Sequence, residues 1–194
     1  MNPNSTIGLV LCGGQSARMG SDKGLIKNNN ISWSIFAFGK LSASNLETFI
    51  SINSSQIADY EDLFRGDSLI VDNKELQIKG PLLGILSAHL KYPEKNILVL
   101  ACDMLDITNE NISHLLTTFK HQNAICYAYQ NSPEPLLGIY SSSGLKNIYQ
   151  KYTSGNLLKF SMMHMLELLE ADFLPLSDRE FVHFKNYNSP QDLN

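Results

Sequence analysis

The chain has 194 residues, 43% of them hydrophobic, and a formal net charge of −4 at pH 7. This length and composition are enough for one sizeable buried core, so we expect a single domain over residues 1–194. The negative charge argues against a general nucleic-acid binder, which needs a basic face. Because no apolar run approaches the ~18 residues that cross a bilayer, we expect neither nucleic acid nor a membrane as a partner.

The cysteines indicate the compartment in which the protein works. Cys12, Cys102 and Cys126 lie far apart, so they form neither a C-x-x-C pair nor an even disulfide framework. A reducing cytoplasm fits this pattern best, and we expect a cytoplasmic protein. The histidines are scattered without the spacing of metal ligands, so we expect no structural zinc site.

Apolar runs typical of strands alternate along the chain with segments of helical spacing. The predicted strands cover residues 7–11, 48–52, 68–71, 97–101, 124–129 and 136–140, and residues 181–184 are also strand-like. The predicted helices cover residues 33–41, 59–64, 82–90, 108–119 and 157–169, with Pro81 starting the third and Thr108 capping the fourth. This alternation favours right-handed crossovers, and therefore an α/β fold: a three-layer α/β/α domain with a mostly parallel, Rossmann-like sheet.

A glycine-rich segment, residues 11–24, directly follows the first predicted strand. Its glycines allow the backbone to approach a ligand closely, so that consecutive N–H groups can point at the same phosphate oxygens. Arg18, one of only three arginines in the chain, and Lys23 add positive charge as a planar fork and a compact point charge. The segment therefore predicts a site for a nucleoside triphosphate.

Two familiar phosphate-binding motifs do not fit this segment. A P-loop needs G-x-x-x-x-G-K-[ST], but Gly14 and Gly20 are too far apart, and two residues separate Gly20 from Lys23. A dinucleotide fingerprint needs G-x-G-x-x-G, whereas Gly13 and Gly14 are adjacent. The remaining alternative is a turn that only joins a strand to a helix, and the basic residues inside the segment argue against it.

Asp103 follows the predicted strand 97–101, which is apolar at every position, as a central parallel strand would be. In open α/β sheets ligands bind outside the carboxyl ends of the strands, so Asp103 can face the same crevice as the glycine-rich segment. Its carboxylate is the hard oxygen ligand that Mg²⁺ takes together with phosphate oxygens. The alternative is a structural carboxylate that caps a turn or the helix beginning at Thr108.

Five stretches of the chain carry a resemblance to a known family. L-x-G-G-x-S-x-R-M-G-x-D-K-G, at residues 11–24, resembles the signature of the molybdenum cofactor guanylyltransferases, within the nucleotidyltransferase superfamily. Four later stretches are similar to motifs of this family and come in its order: GPLLG at 80–84, CDM at 102–104, EPLLGIY at 134–140 and FKNYNSPQDL at 184–193. The resemblance spans nearly the whole chain and implies a fold like that of the nucleotide-diphospho-sugar transferases.

The resemblance implies transfer of GMP from GTP to the terminal phosphate of molybdenum-molybdopterin, with Mg²⁺ as cofactor. The products would be molybdopterin guanine dinucleotide and pyrophosphate. Implied protein partners are other molybdenum cofactor biosynthesis proteins and the molybdoenzymes that receive the product. The adjacent pair Gly13-Gly14 resembles guanylyltransferases, because cytidylyl relatives more often have alanine before the glycine. It therefore favours GTP over CTP.

The resemblance also implies roles for individual residues. Arg18, Lys23 and Asp103 are the expected catalytic residues, with Asp103 as the metal ligand. The residues expected around the nucleotide are Leu11, Cys12, Gly13, Gly14, Arg18, Lys23, Asn53, Asp72, Gly80 and Asp103. Ser51 is an alternative to Asn53, and Asp72 can accept hydrogen bonds from either the guanine or the ribose.

Two asparagines late in the chain are expected to bind the acceptor. Asn186 and Asn188 carry amides that both donate and accept, which suits a pterin or a phosphate. The alternative is that Asn188 or Ser189 merely caps a final turn beginning at Pro190.

Two other functions remain open from the sequence. Family members often carry a basic residue just after the glycine of Gly155-Asn156, although Lys151 or Lys159 can substitute for it. This difference is compatible with a non-catalytic regulator that keeps the GTP site and has lost transfer. The second alternative is a related transferase that uses CTP or a sugar phosphate.

Overall fold

The computed structural model describes residues 5–13 and 22–193, in which strands and helices alternate. The strands are β1 (Thr6–Leu11), β2 (Lys27–Asn28), β3 (Ile31–Ser32), β4 (Glu47–Ile52), β5 (Leu69–Val71), β6 (Asn96–Ala101), β7 (Ala124–Tyr129), β8 (Ser132–Tyr140) and β9 (Asp172–Pro175). The α-helices are α1 (Trp33–Ala43), α2 (Ile57–Glu61), α3 (Pro81–Lys91), α4 (Asn109–Thr118), α5 (Ser142–Thr153), α6 (Met162–Leu169) and α7 (Asp178–Phe181). Short 3₁₀ helices cover Lys23–Leu25, Gly66–Ser68, Val182–Phe184 and Pro190–Leu193.

The main sheet of the described chain has seven strands in the order β5-β4-β1-β6-β8-β7-β9, and β2 pairs with β3 in a separate hairpin. Strands β5, β4, β1 and β6 are parallel to one another, as are β7 and β9, whereas β8 runs antiparallel to both β6 and β7. The predicted α/β fold with a mostly parallel sheet is confirmed. The carboxyl ends of β5, β4, β1 and β6 open at one edge of the sheet, where such folds bind ligands.

The core lies in two layers, one on each face of the sheet. Alternate residues of a strand point to opposite faces, so Val10 of β1 packs in one layer and Leu9 in the other. Helices α1 and α4 cover the face of Val10, and α3, α5 and α6 cover the face of Leu9. The predicted three-layer arrangement is confirmed, and β6 is buried along its apolar run as expected.

Capping residues decide where several helices begin. Pro81 is the first residue of α3, as predicted. Thr108 is the N-cap of α4, as predicted, and it forms a capping box with Asn111. The predicted helix 157–169 begins only at Met162, because Ser161 is the N-cap and its hydroxyl accepts from the His164 N–H at 3.3 Å.

The prediction of a strand at residues 181–184 is wrong. Phe181 is the last residue of α7, and Val182–Phe184 forms a 3₁₀ turn. Ser177 starts this helical region through a capping box, in which its N–H donates to the Glu180 carboxylate at 2.9 Å.

Among the described residues, no helix combines the length and the apolarity needed to cross a bilayer.

Candidate active site

The carboxyl ends of β1, β4 and β6 are tied together by main-chain hydrogen bonds. The N–H groups of Cys12 and Gly13 both donate to the Ser51 carbonyl oxygen, at 3.0 and 3.1 Å. On the other side of β1, the Cys102 N–H donates to the Leu11 carbonyl oxygen at 3.2 Å. Leu11, Cys12 and Gly13 therefore lie between the neighbouring strand ends, as the floor of the crevice expected in open α/β sheets.

Asp72 follows β5 and faces Gly13 across this floor. A Cβ atom on Gly13 would lie 3.4 Å from the Asp72 Oδ2 atom and 3.8 Å from the Asn53 backbone nitrogen. Burial raises the pKa of Asp72 to about 6, and the Ser51 hydroxyl, 3.5 Å from Oδ1, acts in the opposite direction. The crevice therefore contains a carboxyl group that titrates close to neutral pH.

The two alternatives at the end of β4 have different surroundings. Ser51 is buried and its hydroxyl donates to Asp72, whereas the Asn53 Oδ1 atom accepts from the N–H and the hydroxyl of Ser55, at 2.9 and 2.6 Å. The Ser51 side chain thus supports the Asp72 carboxylate, and the Asn53 side chain forms a local turn.

Gly80, before α3, has φ 77°, so its backbone conformation favours glycine although a Cβ there would meet no atom within 4 Å.

The middle of the glycine-rich segment, residues 14–21, lies outside the described residues. Two residues of the predicted site, Gly14 and Arg18, fall within it. Their assignment to the nucleotide therefore stays a prediction.

Asp22 connects the far end of this segment to the end of β1. Its Oδ1 atom accepts from the Gly24 N–H at 2.9 Å and from the Tyr60 hydroxyl at 3.1 Å. The Gln56 side-chain amide donates to Asp22 Oδ2 and, at 3.1 Å, to the Cys12 carbonyl oxygen. One polar network from α2 therefore fixes both described ends of the glycine-rich segment.

Gly24 is enclosed by this network. A Cβ atom there would lie 2.1 Å from the Tyr60 hydroxyl oxygen and 3.2 Å from the Cys12 sulfur, so a larger residue must displace its neighbours. Burial, followed by the nearby Cys12 and Asp22, raises the pKa of Tyr60 well above its ordinary value, so the hydroxyl stays a donor. Sequence patterns do not identify Gln56 or Tyr60, and only Asp22 lies within a recognisable motif.

Lys23 joins the two sides of the crevice. Its ammonium nitrogen donates to Asp103 Oδ2 and to Asn188 Oδ1, each at 2.8 Å. We call these three residues the Lys23 bridge. The side chains of Lys23 and Asp103 are 22% and 17% exposed, so both lie at the crevice surface within reach of a ligand. Asp103 does not cap α4, because Thr108 and Asn111 form the capping box of that helix. The Asp103 side chain pairs with Lys23.

The last described segment brings Asn188, but not Asn186, to the bridge. The Asp192 carboxylate accepts from the N–H groups of Asn188 and Ser189, at 2.6 and 3.0 Å, and these bonds lower the pKa of Asp192. Asp192 therefore satisfies the backbone of this turn, and the Asn188 amide oxygen accepts from Lys23. Asn186 is exposed, and no described contact joins its side chain to the Lys23 bridge.

The fold and these motifs have known counterparts. The chain matches the model of the MobA-like NTP transferase domain over residues 8–165. It belongs to this family. The resemblance carried by the sequence motifs is thereby confirmed, and the chain is an enzyme of the nucleotidyltransferase class.

Two relatives of this MobA-like domain illustrate the match. A probable molybdenum cofactor guanylyltransferase of Flavobacterium johnsoniae is 31% identical over 189 residues, covering 95% of this chain and 93% of the relative. The molybdenum cofactor biosynthesis bifunctional protein of Synechocystis sp. is 29% identical over 194 residues, and the match covers 95% of this chain but 52% of that protein. The chain thus spans about half the length of the bifunctional relative.

Solved structures confirm the fold of the MobA-like domain. Molybdopterin-guanine dinucleotide biosynthesis protein A from Archaeoglobus fulgidus superposes with a TM-score of 0.76 at 23% identity, covering 97% of this chain and 95% of that one. The bifunctional IspDF from Campylobacter jejuni gives a TM-score of 0.72 at 13% identity, covering 97% of this chain and 53% of that one. The predicted likeness to nucleotide-diphospho-sugar transferases is therefore confirmed at the level of the fold.

Gly155 has a structural role in this MobA-like domain. It follows α5 at φ 73°, and the N–H groups of Asn156 and Leu157 both donate to the Lys151 carbonyl oxygen, at 2.8 and 3.0 Å. This is how a glycine ends a helix. Lys151 and Lys159 are exposed, and no described contact joins either side chain to the Lys23 bridge.

Proposed function

We propose that this MobA-like domain transfers GMP from GTP to the terminal phosphate of molybdenum-molybdopterin, giving molybdopterin guanine dinucleotide and pyrophosphate. The observation that carries the proposal is the Lys23 bridge. One ammonium group contacts both Asp103, which follows β6, and Asn188, in the segment expected to bind the acceptor. Asp103 lies beside the floor formed by Leu11, Cys12 and Gly13, which we call the nucleotide floor. The choice of a guanine nucleotide and of the molybdenum cofactor as substrates rests on the names of the relatives.

The chemistry of this transfer suits such a site. The attacking phosphate monoester has a second pKa near 6, so at neutral pH it is largely a dianion and needs no protein base. The main obstacle is repulsion between this dianion and the triphosphate. Catalysis then depends on positioning and on positive charge placed beforehand. In our proposal, Lys23 supplies one such charge and Arg18 supplies the second.

The residues present also fit a magnesium ion. The Asp103 carboxylate is a hard oxygen ligand at the crevice surface. Mg²⁺ is usually bound by one or two carboxylates together with the phosphates of the substrate, so a single aspartate at the crevice is a sufficient protein ligand. Asp103 would hold the ion, which when bound supplies further charge neutralisation to the phosphate oxygens.

The nucleoside side of the crevice is proposed to lie over the floor formed by Leu11, Cys12 and Gly13. Asp72 faces Gly13 and offers two carboxylate oxygens, which suit either the N1–H and N2–H₂ donors of guanine or the hydroxyls of ribose. The absence of a side chain on Gly13 keeps this surface open to a flat base or a sugar. Asn53 and Gly80 contribute as neighbouring backbone in this proposal.

A conversion assay tests the proposal directly. Purified protein is given Mg-GTP with and without molybdenum-molybdopterin, and released pyrophosphate and the dinucleotide product are measured. We expect both products only when the acceptor is present, and GTP to outperform ATP, CTP and UTP. Tight GTP binding without any transfer would instead establish the non-catalytic regulator, and a preference for CTP would establish the related transferase.

The wider setting follows from this reaction. The product has to reach molybdoenzymes, and its precursor has to come from other proteins of molybdenum cofactor biosynthesis. We propose both as partners, in the cytoplasm. Co-purification of this chain with such proteins from a cytoplasmic extract tests this.

A further inference from the structure

A small apolar cluster lies directly behind the Lys23 bridge. It consists of Trp33, Leu105 and Tyr187, which are 1%, 7% and 8% exposed, with Ile26 packed against them. Trp33 also fixes the segment after Lys23, because its backbone N–H donates to the Ile26 carbonyl oxygen at 2.9 Å. Each segment that carries a bridge residue therefore contributes one member to the same cluster.

Tyr187 makes the polar contacts of this cluster. Its N–H donates to the Asp103 carbonyl oxygen at 2.9 Å, and its hydroxyl donates to the Asp106 carboxylate at 2.5 Å. Its ring packs edge-on against Trp33, with the ring centres 6.3 Å apart. The hydrogen bond to Asp106, together with burial, raises the pKa of Tyr187 to about 12, so the hydroxyl remains a donor at neutral pH.

These contacts lock the chain immediately before Asn188 to the chain around Asp103. Asn188 itself has its N–H bound by Asp192, so its backbone is held from both directions. From this backbone position, the Asn188 side-chain oxygen accepts from the Lys23 ammonium. Because a misplacement of about 1 Å can cost roughly 10²-fold in rate, such anchoring matters for transfer.

We propose that Tyr187 is a positioning residue: through Asp106 and the Asp103 backbone it holds Asn188 where one Lys23 ammonium can contact both sides of the crevice. The inference rests on the proposed transfer reaction. Tyr187 contacts neither Lys23 nor the nucleotide floor in the described structure, so its effect passes through Asn188. We therefore expect loss of the Tyr187 hydroxyl to slow the transfer step more than it weakens the initial binding of GTP.

The test is the variant Tyr187→Phe, which keeps the ring, the apolar cluster and the backbone N–H, and removes only the hydroxyl. We expect kcat for guanylyl transfer to fall by about 10- to 100-fold, with the KM for GTP within about twofold of wild type. The matched control is Tyr129→Phe. The Tyr129 hydroxyl also donates to an aspartate, Asp178, at 3.0 Å, but no described contact joins it to the Lys23 bridge. This control should keep wild-type turnover.

The partner carboxylate gives a second pair of variants. Asp106→Asn keeps an oxygen that accepts from the Tyr187 hydroxyl, so it should retain most of the turnover. Asp106→Ala should match Tyr187→Phe, and the double variant should be no slower than the slower single variant, because both changes remove one hydrogen bond. Additive losses in the double variant, or equal losses in Tyr129→Phe, would overturn the positioning role.

A readout independent of activity separates this inference from the proposed function. The ¹⁵N resonance of the Lys23 ammonium and the side-chain amide resonances of Asn188 report whether the bridge is formed, because the Lys23 ammonium donates to the Asn188 Oδ1 atom. Both should be the same in wild type and Tyr129→Phe, and both should shift in Tyr187→Phe. Unshifted resonances in Tyr187→Phe would overturn the inference. If the wild type transfers no GMP, the proposed function fails, and these NMR signals alone decide whether Tyr187 positions the bridge.

Discussion

At the scale of single residues, charge balance defines the crevice. Asp103 and Asp72 place carboxyl groups near the ends of β6 and β5, where the proposed nucleoside triphosphate would bind. Lys23 is the cation that the described structure places against Asp103. A bound triphosphate would compete for the same ammonium, so the contact of Lys23 with Asp103 can be exchanged for a contact with phosphate.

Replacement of Lys23 by alanine should abolish most turnover while leaving the fold intact. Loss of one preorganised charge contact at such a site costs about 10²- to 10³-fold in rate. The transfer assay measures this loss, and thermal unfolding verifies that the variant is folded. Lys120→Ala is the matched control, because Lys120 is an exposed lysine before β7, at the opposite edge of the sheet. Wild-type turnover in Lys23→Ala would remove Lys23 from the mechanism.

The pKa of Asp72 predicts a pH dependence for GTP binding. Burial raises this pKa to about 6, from an ordinary value of 3.8. Below that pH the group is protonated in the folded protein and loses acceptor strength toward guanine or ribose donors. The dissociation constant for GTP should therefore rise as the pH falls through 6, by about tenfold at pH 5.

Calorimetric titrations between pH 5 and 8 measure this dependence. Asp72→Asn removes the titrating group but not the titration of GTP itself, so it is the reference. We expect weaker binding and a flatter pH profile in this variant. Identical profiles for wild type and Asp72→Asn would show that Asp72 does not contact the nucleotide.

At the scale of elements, the 3₁₀ helix Lys23–Leu25 and helix α2 act as one support. Asp22 caps the first and accepts from Gln56 and Tyr60 of the second region. These contacts join positions 34 and 38 residues apart in the chain. The position of Lys23 therefore depends on a network that it does not itself touch.

Substitution of Gly24 tests how tightly these elements pack. Gly24→Ala places a Cβ 2.1 Å from the Tyr60 hydroxyl oxygen, and such overpacking should lower the free energy of unfolding by about 1–3 kcal/mol. The combination with Tyr60→Phe removes the atom in the way and should recover part of the loss. Gly39→Ala in α1, where a Cβ meets nothing within 4 Å, should be neutral or stabilising. Chemical denaturation measures all of them, and an undisturbed Gly24→Ala variant would contradict this packing.

Local signals explain which elements could be predicted from the sequence. Pro81 and Thr108 mark helix starts through their own chemistry, and β6 is apolar at consecutive positions, so each is visible in the sequence. Helix α5 carries Gly144 near its start and few buried residues, and β9 is a largely exposed four-residue strand defined by pairing with β7. Such elements form because of tertiary contacts, so their sequences are weak predictors.

The candidate site divides in the same way. Lys23 and Asp103 follow the ends of predicted strands or lie in motifs, so the topology of an α/β sheet is enough to bring them together. Gln56, Tyr60 and Tyr187 act through contacts across the chain, which no spacing rule describes. Asn186 and Asn188 look equivalent in sequence, and only the fold of the final segment separates them.

At the scale of the whole molecule, one sheet joins β1 near the start of the chain to β9 at residues 172–175. The prediction of a single domain over residues 1–194 therefore leads to a single cooperative unfolding transition. Fluorescence of Trp33, the one tryptophan in the chain, and far-ultraviolet circular dichroism should report coincident midpoints. Two separate midpoints would show that the chain unfolds in independent parts.

The Lys23 bridge also sets the order in which the protein can become active. Lys23 and Asn188 are 165 positions apart. During translation the ribosome makes the parallel half of the sheet, with Lys23 and Asp103, well before it reaches Asn188. A growing polypeptide can therefore possess the nucleotide floor while it still lacks Asn188, the last residue of the Lys23 bridge. Guanylyl transfer by the mechanism proposed above has to wait until that asparagine has been synthesised and docked.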